Sequence, residues 1–314
     1  MSIRSPFFCS DLSRLVDEQT IGTASIGNIW LLLEYPFAWE RKAVEESALS
    51  TRVKEFLRDV VMTLPRARVL LIKKDRLRTT DLAFYVVRSS EHTPFAVKFR
   101  LRDYEQLTEL DIASIASGEV VSGGETVDGP LFLVCTHGRR DKCCAKFGYP
   151  LYKTLSASSV ESVWQSSHVG GDRFAANLVC LPHGLFYAHV NESTGQNIIA
   201  EYSAGRIVLD NYRGRACYPH AVQAAEYFIR SETGLIGVDE LRYTSAERLN
   251  QTSWRVRFGN ANDESAFEAD VTTHVSEFQN YITCDAVEEK PVFQFKLEGI
   301  RVARGVVYDG IIHE

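Results

Sequence analysis

Val134-Cys-Thr-His-Gly-Arg-Arg-Asp-Lys-Cys-Cys-Ala145 is the stretch of this chain whose residue types carry chemistry. An apolar run ends in Cys135, a charged loop follows, and Cys143 and Cys144 stand where a helix is expected to begin. A helix N-terminus presents unpaired N–H groups and the positive end of its dipole, and Arg139, Arg140 and Lys142 add cations, so thiolate is favoured over thiol. Thiolate is the form that ligates iron or attacks disulfides. Further along, Val163-Trp-Gln-Ser-Ser-His-Val-Gly-Gly-Asp-Arg-Phe-Ala-Ala-Asn177 places His168 and Asp172 on either side of Gly170 and Gly171. The paired glycines let the backbone pass close to a bound group, and a turn there would aim both side chains at one centre. The plainer readings are a small buried hydrophobe for Cys135 and a hydrogen-bonded loop residue for His168.

The elements that must position these residues follow from the hydrophobic pattern. Residues 29–35 form a short apolar run ending near Pro36, which predicts a buried strand. Between residues 43 and 63, Val53, Phe56, Leu57, Val60 and Val61 recur at helical spacing. Residues 68–73 and 82–88 are β-branched or aromatic and predict two more strands. A turn-rich stretch over 118–129 marks the most plausible boundary. Beyond it the order restarts: a strand over 131–134, a helix over 144–155, and strands over 174–181 and 185–190 joined by a tight Pro-His-Gly turn. A helix from Pro219 to about Ile229 follows, with proline at its first turn. The repeated order suggests two related α/β units, of which the second kept a site. The last 75 or so residues alternate polar and apolar positions and predict a small antiparallel β element. Nothing there announces chemistry, and Cys284 and His274 read as packing or surface residues, as do Cys9 and Trp39. The boundaries implied are 1–120, 121–235 and 236–314.

Composition narrows the function classes. The formal charge of -6 and the absence of long Lys/Arg runs argue against nucleic acid as a partner. No run of about 18 apolar residues is present, so no membrane partner is expected, and the first twenty residues lack the apolar core of a secretion signal. A cytoplasmic protein is the expectation. Seven cysteines, an odd number and scattered apart from one adjacent pair, do not look like a disulfide framework. No carboxylate pair sits in a motif that would support glycoside hydrolysis.

Together the motifs resemble the sucrase/ferredoxin-like family. The resemblance rests on Cys-Thr-His-Gly-Arg-Arg-Asp-Lys-Cys-Cys-Ala, on Ser-His-Val-Gly-Gly-Asp-Arg-Phe-Ala-Ala-Asn, on Leu-Pro-His-Gly-Leu-Phe-Tyr, and on Tyr212-Arg-Gly-Arg followed by Pro219 and Gln223-Ala-Ala-Glu. Cys9-Ser-Asp-Leu-Ser, Gly22-Thr-Ala-Ser25 and Trp30-Leu-Leu-Leu-Glu resemble the N-terminal half of bacterial members. The resemblance implies an α/β fold: a thioredoxin-like ferredoxin domain, preceded by a related and degenerate α/β unit and followed by the β-rich extension. It also implies a 2Fe-2S cluster held by two cysteines and, in fungal members, by two histidines four residues apart.

By position the implied ligands are Cys135, Cys144 and His168, and Asp172 stands where the second histidine is expected. Asp172 as a carboxylate ligand, Cys143 or a water in its place, and no stable cluster all remain open on the residues alone, as does a salt bridge from Asp172 to an arginine. Arg139 and Arg140 would favour the reduced cluster, and a histidine ligand whose free nitrogen reaches water would make its potential depend on pH. The implied role is an electron carrier served by a reductase, with an acceptor the sequence does not identify, because no flavin or nicotinamide fingerprint occurs in the chain. Two other readings stand beside it: a cluster-free thiol redox protein or sensor using Cys135, Cys143 and Cys144, and structural zinc on Cys135, Cys144, His168 and Asp172.

Overall fold

In Ile29–Glu34 (β1) every apolar side chain is buried, which requires both faces of the strand to be covered. A computed structural model, which describes residues 7–75, 81–119, 122–158 and 162–304, shows how. The chain opens with a short helix, Cys9–Leu15 (α1), before β1. Then come Thr51–Thr63 (α2), Ala67–Lys73 (β2), Leu82–Arg88 (β3), Phe95–Leu101 (β4), Ile112–Ser117 (α3) and Glu125–Thr126 (β5). Leu131–Cys135 (β6), Lys142–Ser158 (α4), Val163–Ser166 (β7), Leu178–Leu181 (β8), Leu185–Tyr187 (β9), Glu192–Ser203 (α5), Tyr212–Arg215 (β10) and His220–Thr233 (α6) follow. Four strands end the fold: Leu241–Arg248 (β11), Ser253–Asn260 (β12), Ser265–Asn280 (β13) and Lys290–Arg304 (β14).

Ten strands form one mixed sheet in the order β10-β9-β8-β6-β7-β2-β1-β3-β4-β5. The same connection pattern occurs in both halves. β1 runs parallel to β2 through α2 and antiparallel to β3, which pairs with β4. β6 runs parallel to β7 through α4 and antiparallel to β8, which pairs with β9. The halves meet where β2 and β7 pair antiparallel, Ile72 opposite Ser166.

Strand alternation sorts the side chains into cores. Leu31, Leu33, Phe84 and Val86 pack with Val53, Leu57 and Val60 of α2, while Phe132 and Val134 pack with Leu151 and Leu155 of α4 and Ile198 of α5. The opposite faces, Trp30, Leu32, Tyr85, Leu133, Trp164 and Phe186 among them, share a single core, so the sheet curls and its halves face each other. The final strands make a separate antiparallel sheet, β11-β12-β13-β14, whose Val256, Phe258, Ala269 and Val271 pack on Val222, Ala225 and Ile229 of α6. This is the antiparallel element expected at the C-terminal end.

Several expected elements take different bounds. The helix expected from residue 43 begins at Thr51 because Ser50 caps it, its Oγ accepting the N–H of Val53 at 3.2 Å. β4 was not expected. The strand expected over 174–181 is shortened to β8: Asp172–Phe174 form a 3-10 turn, and the carbonyl of Ala175 accepts from Ser10 Oγ and Arg14 Nη2 instead of a neighbouring strand. α4 begins two residues earlier than expected and runs on through Pro150. Val120 and Val121 of the turn-rich boundary, and the end of the C-terminal extension beyond residue 304, lie outside the described residues.

Candidate metal centre

β6 and β7 are parallel and in register, with Cys135 opposite Ser166, so the loops that follow them emerge side by side. Cys135 is the last residue of β6, and Cys144 lies in the first turn of α4. The helix reaches the strand end only because residue 148 is glycine: a Cβ there would sit 1.9 Å from the carbonyl oxygen of Cys135. His168 follows β7 at the seam between the halves, where the N–H of Ser167 donates to the carbonyl of Leu71 at 2.7 Å.

Sulfurs of Cys135 and Cys144 and a ring nitrogen of His168 lie within 4.8 Å of one another. Cys144 Sγ is 4.0 Å from His168 Nδ1 and 3.9 Å from Asp172 Oδ1, and Asp172 Oδ1 is 3.3 Å from His168 Nδ1. Both cysteines and Asp172 are buried, and His168 is half-buried. The structure thus brings Cys135, Cys144 and His168 together as a group that could hold a metal, with Asp172 beside Cys144 and His168.

Electrostatics bind the group together. A hydrogen bond from Cys144, opposed by burial and aided by His168, holds the Cys135 thiol well below its ordinary range, while Cys144 is pushed well above it by the Cys135 thiolate and by burial. Burial alone would lower His168, but the Cys135 thiolate and Asp172 outweigh it and raise the imidazole. Burial raises Asp172, with His168 acting against it. The shifts of Cys135 and His168 run in the directions that let a thiolate and an imidazolium stabilise each other.

The loop is fixed from outside. Gly170 and Gly171 have φ of +102° and +85°, and a Cβ at either would collide with Ser25 Oγ or the Arg213 guanidinium. Their close approach is thus to the protein itself and not, as expected, to a bound group. Arg213 Nη1 donates to the carbonyl of Gly170 at 3.1 Å and to Asn177 Oδ1 at 2.7 Å, and Asn177 Nδ2 donates to the carbonyl of Gly171 at 2.8 Å.

His137 was quoted in the motif without a role, and here it is a positioning residue. Its Nδ1 accepts the backbone N–H of His168 at 3.2 Å, which leaves Nε2–H to donate to the carbonyl of Glu40 at 2.8 Å. Burial lowers its pKa, so the ring stays neutral and keeps that tautomer.

The remaining candidates are placed differently. Arg139 is exposed and pairs with Glu40 at 3.3 Å, whereas Arg140 lines a cleft of about 390 Å³ together with Arg41, Lys42, Arg58, His137 and His168. Lys142 lies over the rings of Phe7 and Phe8. Cys143 turns away from Cys144 altogether. Its Sγ is 3.6 Å from Cys9 Sγ and 3.2 Å from Cys284 Sγ, in a second buried group with Asp141. Cys9 and Cys284 were expected to be packing residues. No spacing signal links them to Cys143, since they lie 134 and 141 residues away from it.

Among the described residues no helix is long and apolar enough to cross a membrane. No curated protein and no solved structure matches the chain. The sequence model of the sucrase/ferredoxin-like family matches residues 20–214, well over half of the chain and all of the first centre, and the chain belongs to that family.

Proposed function

We propose that Cys135, Cys144, His168 and Asp172 hold a 2Fe-2S cluster and that the protein carries electrons. The observation that carries this reading is the convergence of two buried thiols and an imidazole at the ends of two parallel strands, with the Asp172 carboxylate beside Cys144 and His168. Four donors of this kind match the needs of two irons with two terminal ligands each, and soft thiolates with imidazole suit iron. A fifth feature fits a bound inorganic group: the Ser166 hydroxyl is buried without a hydrogen-bond partner and stands in register with Cys135.

When bound, such a cluster supplies one-electron chemistry. The residues of the chain do the rest. His137 and Arg213 hold the His168 loop, and the tight approach of α4 at Gly148 shields the sulfurs from water. His168 opens on the cleft lined by Arg41, Lys42, Arg58 and Arg140, so electrons enter or leave where the surface is positive and attracts an anionic partner. In this reading a reductase donates the electron and a second protein or small oxidant accepts it. The cluster unit is thioredoxin-like, the preceding half is its degenerate duplicate, and the seven free cysteines suit the reducing cytoplasm.

A second reading is a single zinc ion on the same donors, favoured by the 4.0 Å between Cys144 Sγ and His168 Nδ1, which is short enough for both to meet one ion. Counting iron, acid-labile sulfide and zinc per chain in anaerobically purified protein decides between them, with an electron paramagnetic resonance spectrum after reduction. About two irons and two sulfides lost together in Cys135→Ser and in Cys144→Ser support the cluster. A colourless protein with zinc lost in those variants selects the second reading, and neither metal leaves a thiol pair.

A further inference from the structure

We propose that Cys9, Cys143, Cys284 and Asp141 form a second metal site, one that takes a single zinc ion and ties α1 and the β13–β14 connection onto α4. The four donors come from three distant segments: the first residue of α1, the loop and first turn of α4, and the connection between β13 and β14. All four residues are buried, and their donor atoms lie within 4.8 Å of one another. Cys9 and Cys284 fall outside residues 20–214, the stretch that the family's model matches.

The geometry selects one ion. The three sulfurs form a nearly equilateral triangle with sides of 3.2, 3.5 and 3.6 Å. Thiolates bound tetrahedrally at about 2.3 Å lie about 3.7 Å apart, so a small outward relaxation seats a zinc ion among them. Both carboxylate oxygens of Asp141 are 4.0 Å from Cys9 Sγ, which places the fourth donor over the triangle. Three sulfurs this close to one another suit ligation of one shared ion. A disulfide would need one pair to close to about 2 Å and would leave the third sulfur buried beside it. Three thiolates exclude the hard cations, and four protein donors with no open position are the pattern of a structural zinc site.

Surrounding groups are arranged for anionic sulfur. The N–H of Cys9 points at Cys284 Sγ at 3.5 Å and that of Ser10 at Cys143 Sγ at 3.4 Å. Asp141 is oriented by the N–H groups of Cys143 and Cys284, at 2.8 and 2.7 Å, the kind of outer support that fixes a metal ligand. Phe7, Phe8, Phe147 and Tyr281 wall the pocket from water, and Lys142, Lys146 and Arg14 lie over the phenylalanine rings. These cations offset the charge left by three thiolates and a carboxylate around a divalent ion.

Metal counting on the full chain, expressed with zinc and purified without chelator, tests the site apart from the first centre. We expect one zinc per chain that survives in Cys135→Ser/Cys144→Ser and falls at least tenfold in Cys9→Ser/Cys284→Ser. Iron and sulfide are read in the same samples, so loss of the first centre does not register as loss of the second. Exchange of cobalt into the wild-type protein should give intense thiolate-to-cobalt charge transfer from three sulfurs, and Asp141→Asn should shift the ligand-field bands without abolishing them. The wild-type cobalt spectrum decides even if the double variant fails to fold. Wild-type protein with neither zinc nor a cobalt spectrum overturns the proposal, as does a chain about 2 Da lighter with Cys143 joined to Cys284. Zinc lost in the Cys135/Cys144 variant but kept without Cys9 and Cys284 would overturn it too.

Discussion

Cys143 and Cys144 are consecutive, yet their sulfurs face different groups: Cys143 Sγ stands 3.2 Å from Cys284 Sγ, while Cys144 Sγ stands 3.9 Å from Asp172 Oδ1. Adjacent residues in the first turn of a helix point about 100° apart, so one turn of α4 serves two sites. Anything that shifts this turn is felt at both. Asp141 just before it, and Gly148 about one turn on, therefore matter more than their distance from Cys135 along the chain suggests.

Gly148→Ala is the sharpest steric test of that arrangement. Its Cβ would meet the Cys135 carbonyl oxygen at 1.9 Å, a backbone atom with little freedom to give way. The helix must move off β6, at a cost of about 3 kcal/mol. Urea unfolding should show the loss, and metal content at the first centre should fall with it. At Gly259 an added Cβ meets nothing within 4 Å, so Gly259→Ala should stay within about 0.5 kcal/mol of wild type. Equal effects of the two substitutions would remove the close-approach argument.

Asp172 stands where the family resemblance implies a second histidine. If Asp172 ligates iron, replacing its charged carboxylate by neutral imidazole should raise the reduction potential. Asp172→His is expected to move it up by on the order of 100 mV, read by protein-film voltammetry. An unchanged potential would place residue 172 outside the ligand set.

Much of this organisation was legible because it is local. β1, β2, β3 and β6 are apolar runs bounded by polar or turn residues, and a strand covered on both faces has no other pattern to show. Cys135, Cys144 and His168 lie in two motifs that their residue types single out, but β7, the strand that carries His168 beside Cys135, was not among the expected elements. What could not be read was set by distant contacts. Ala175 leaves the strand because its carbonyl is taken by α1, more than 160 residues earlier in the chain. Cys143 finds its partners at the two ends of the molecule, and His137 acquires a role only when Glu40 arrives to fix its tautomer. The start of α2 was a different matter, since Ser50 is a local cap that competed with a helical spacing continuing upstream of it.

If the first centre exchanges electrons, as proposed, the cleft beside His168 sets how charge governs that exchange. Lys42, Arg58 and Arg140 line it with few acids among them. Oxidation of the reduced protein by ferricyanide, an anion, should slow by about tenfold in Lys42→Glu/Arg58→Glu at low ionic strength. Oxidation by hexaamminecobalt(III), a cation, should speed up in the same variant. Both effects should shrink above roughly 0.5 M salt as the charges are screened. Rates that respond equally to both oxidants would show that electrons pass elsewhere.

Acid should weaken the fold through buried histidines that are held neutral and belong to neither ligand group. Burial, with Arg215 beside it, lowers His183 from 6.5 to about 4, and burial with Arg14 lowers His189 to about 4. His183 Nδ1 lies 2.6 Å from the Tyr202 hydroxyl, a contact that a protonated Nδ1 can keep only if the hydroxyl turns to accept. Between pH 6.5 and 4 the unfolded chain binds protons that the folded chain does not, so stability is whole above 6.5 and falls as the pH drops towards 4. The loss is on the order of 2 kcal/mol for each ring. Urea midpoints measured from pH 7.5 to 4 should therefore decline, and His183→Gln, which keeps a partner for Tyr202 but cannot ionise, should flatten part of the slope. A slope identical to wild type in that variant would show that His183 takes up its proton without opposing the fold.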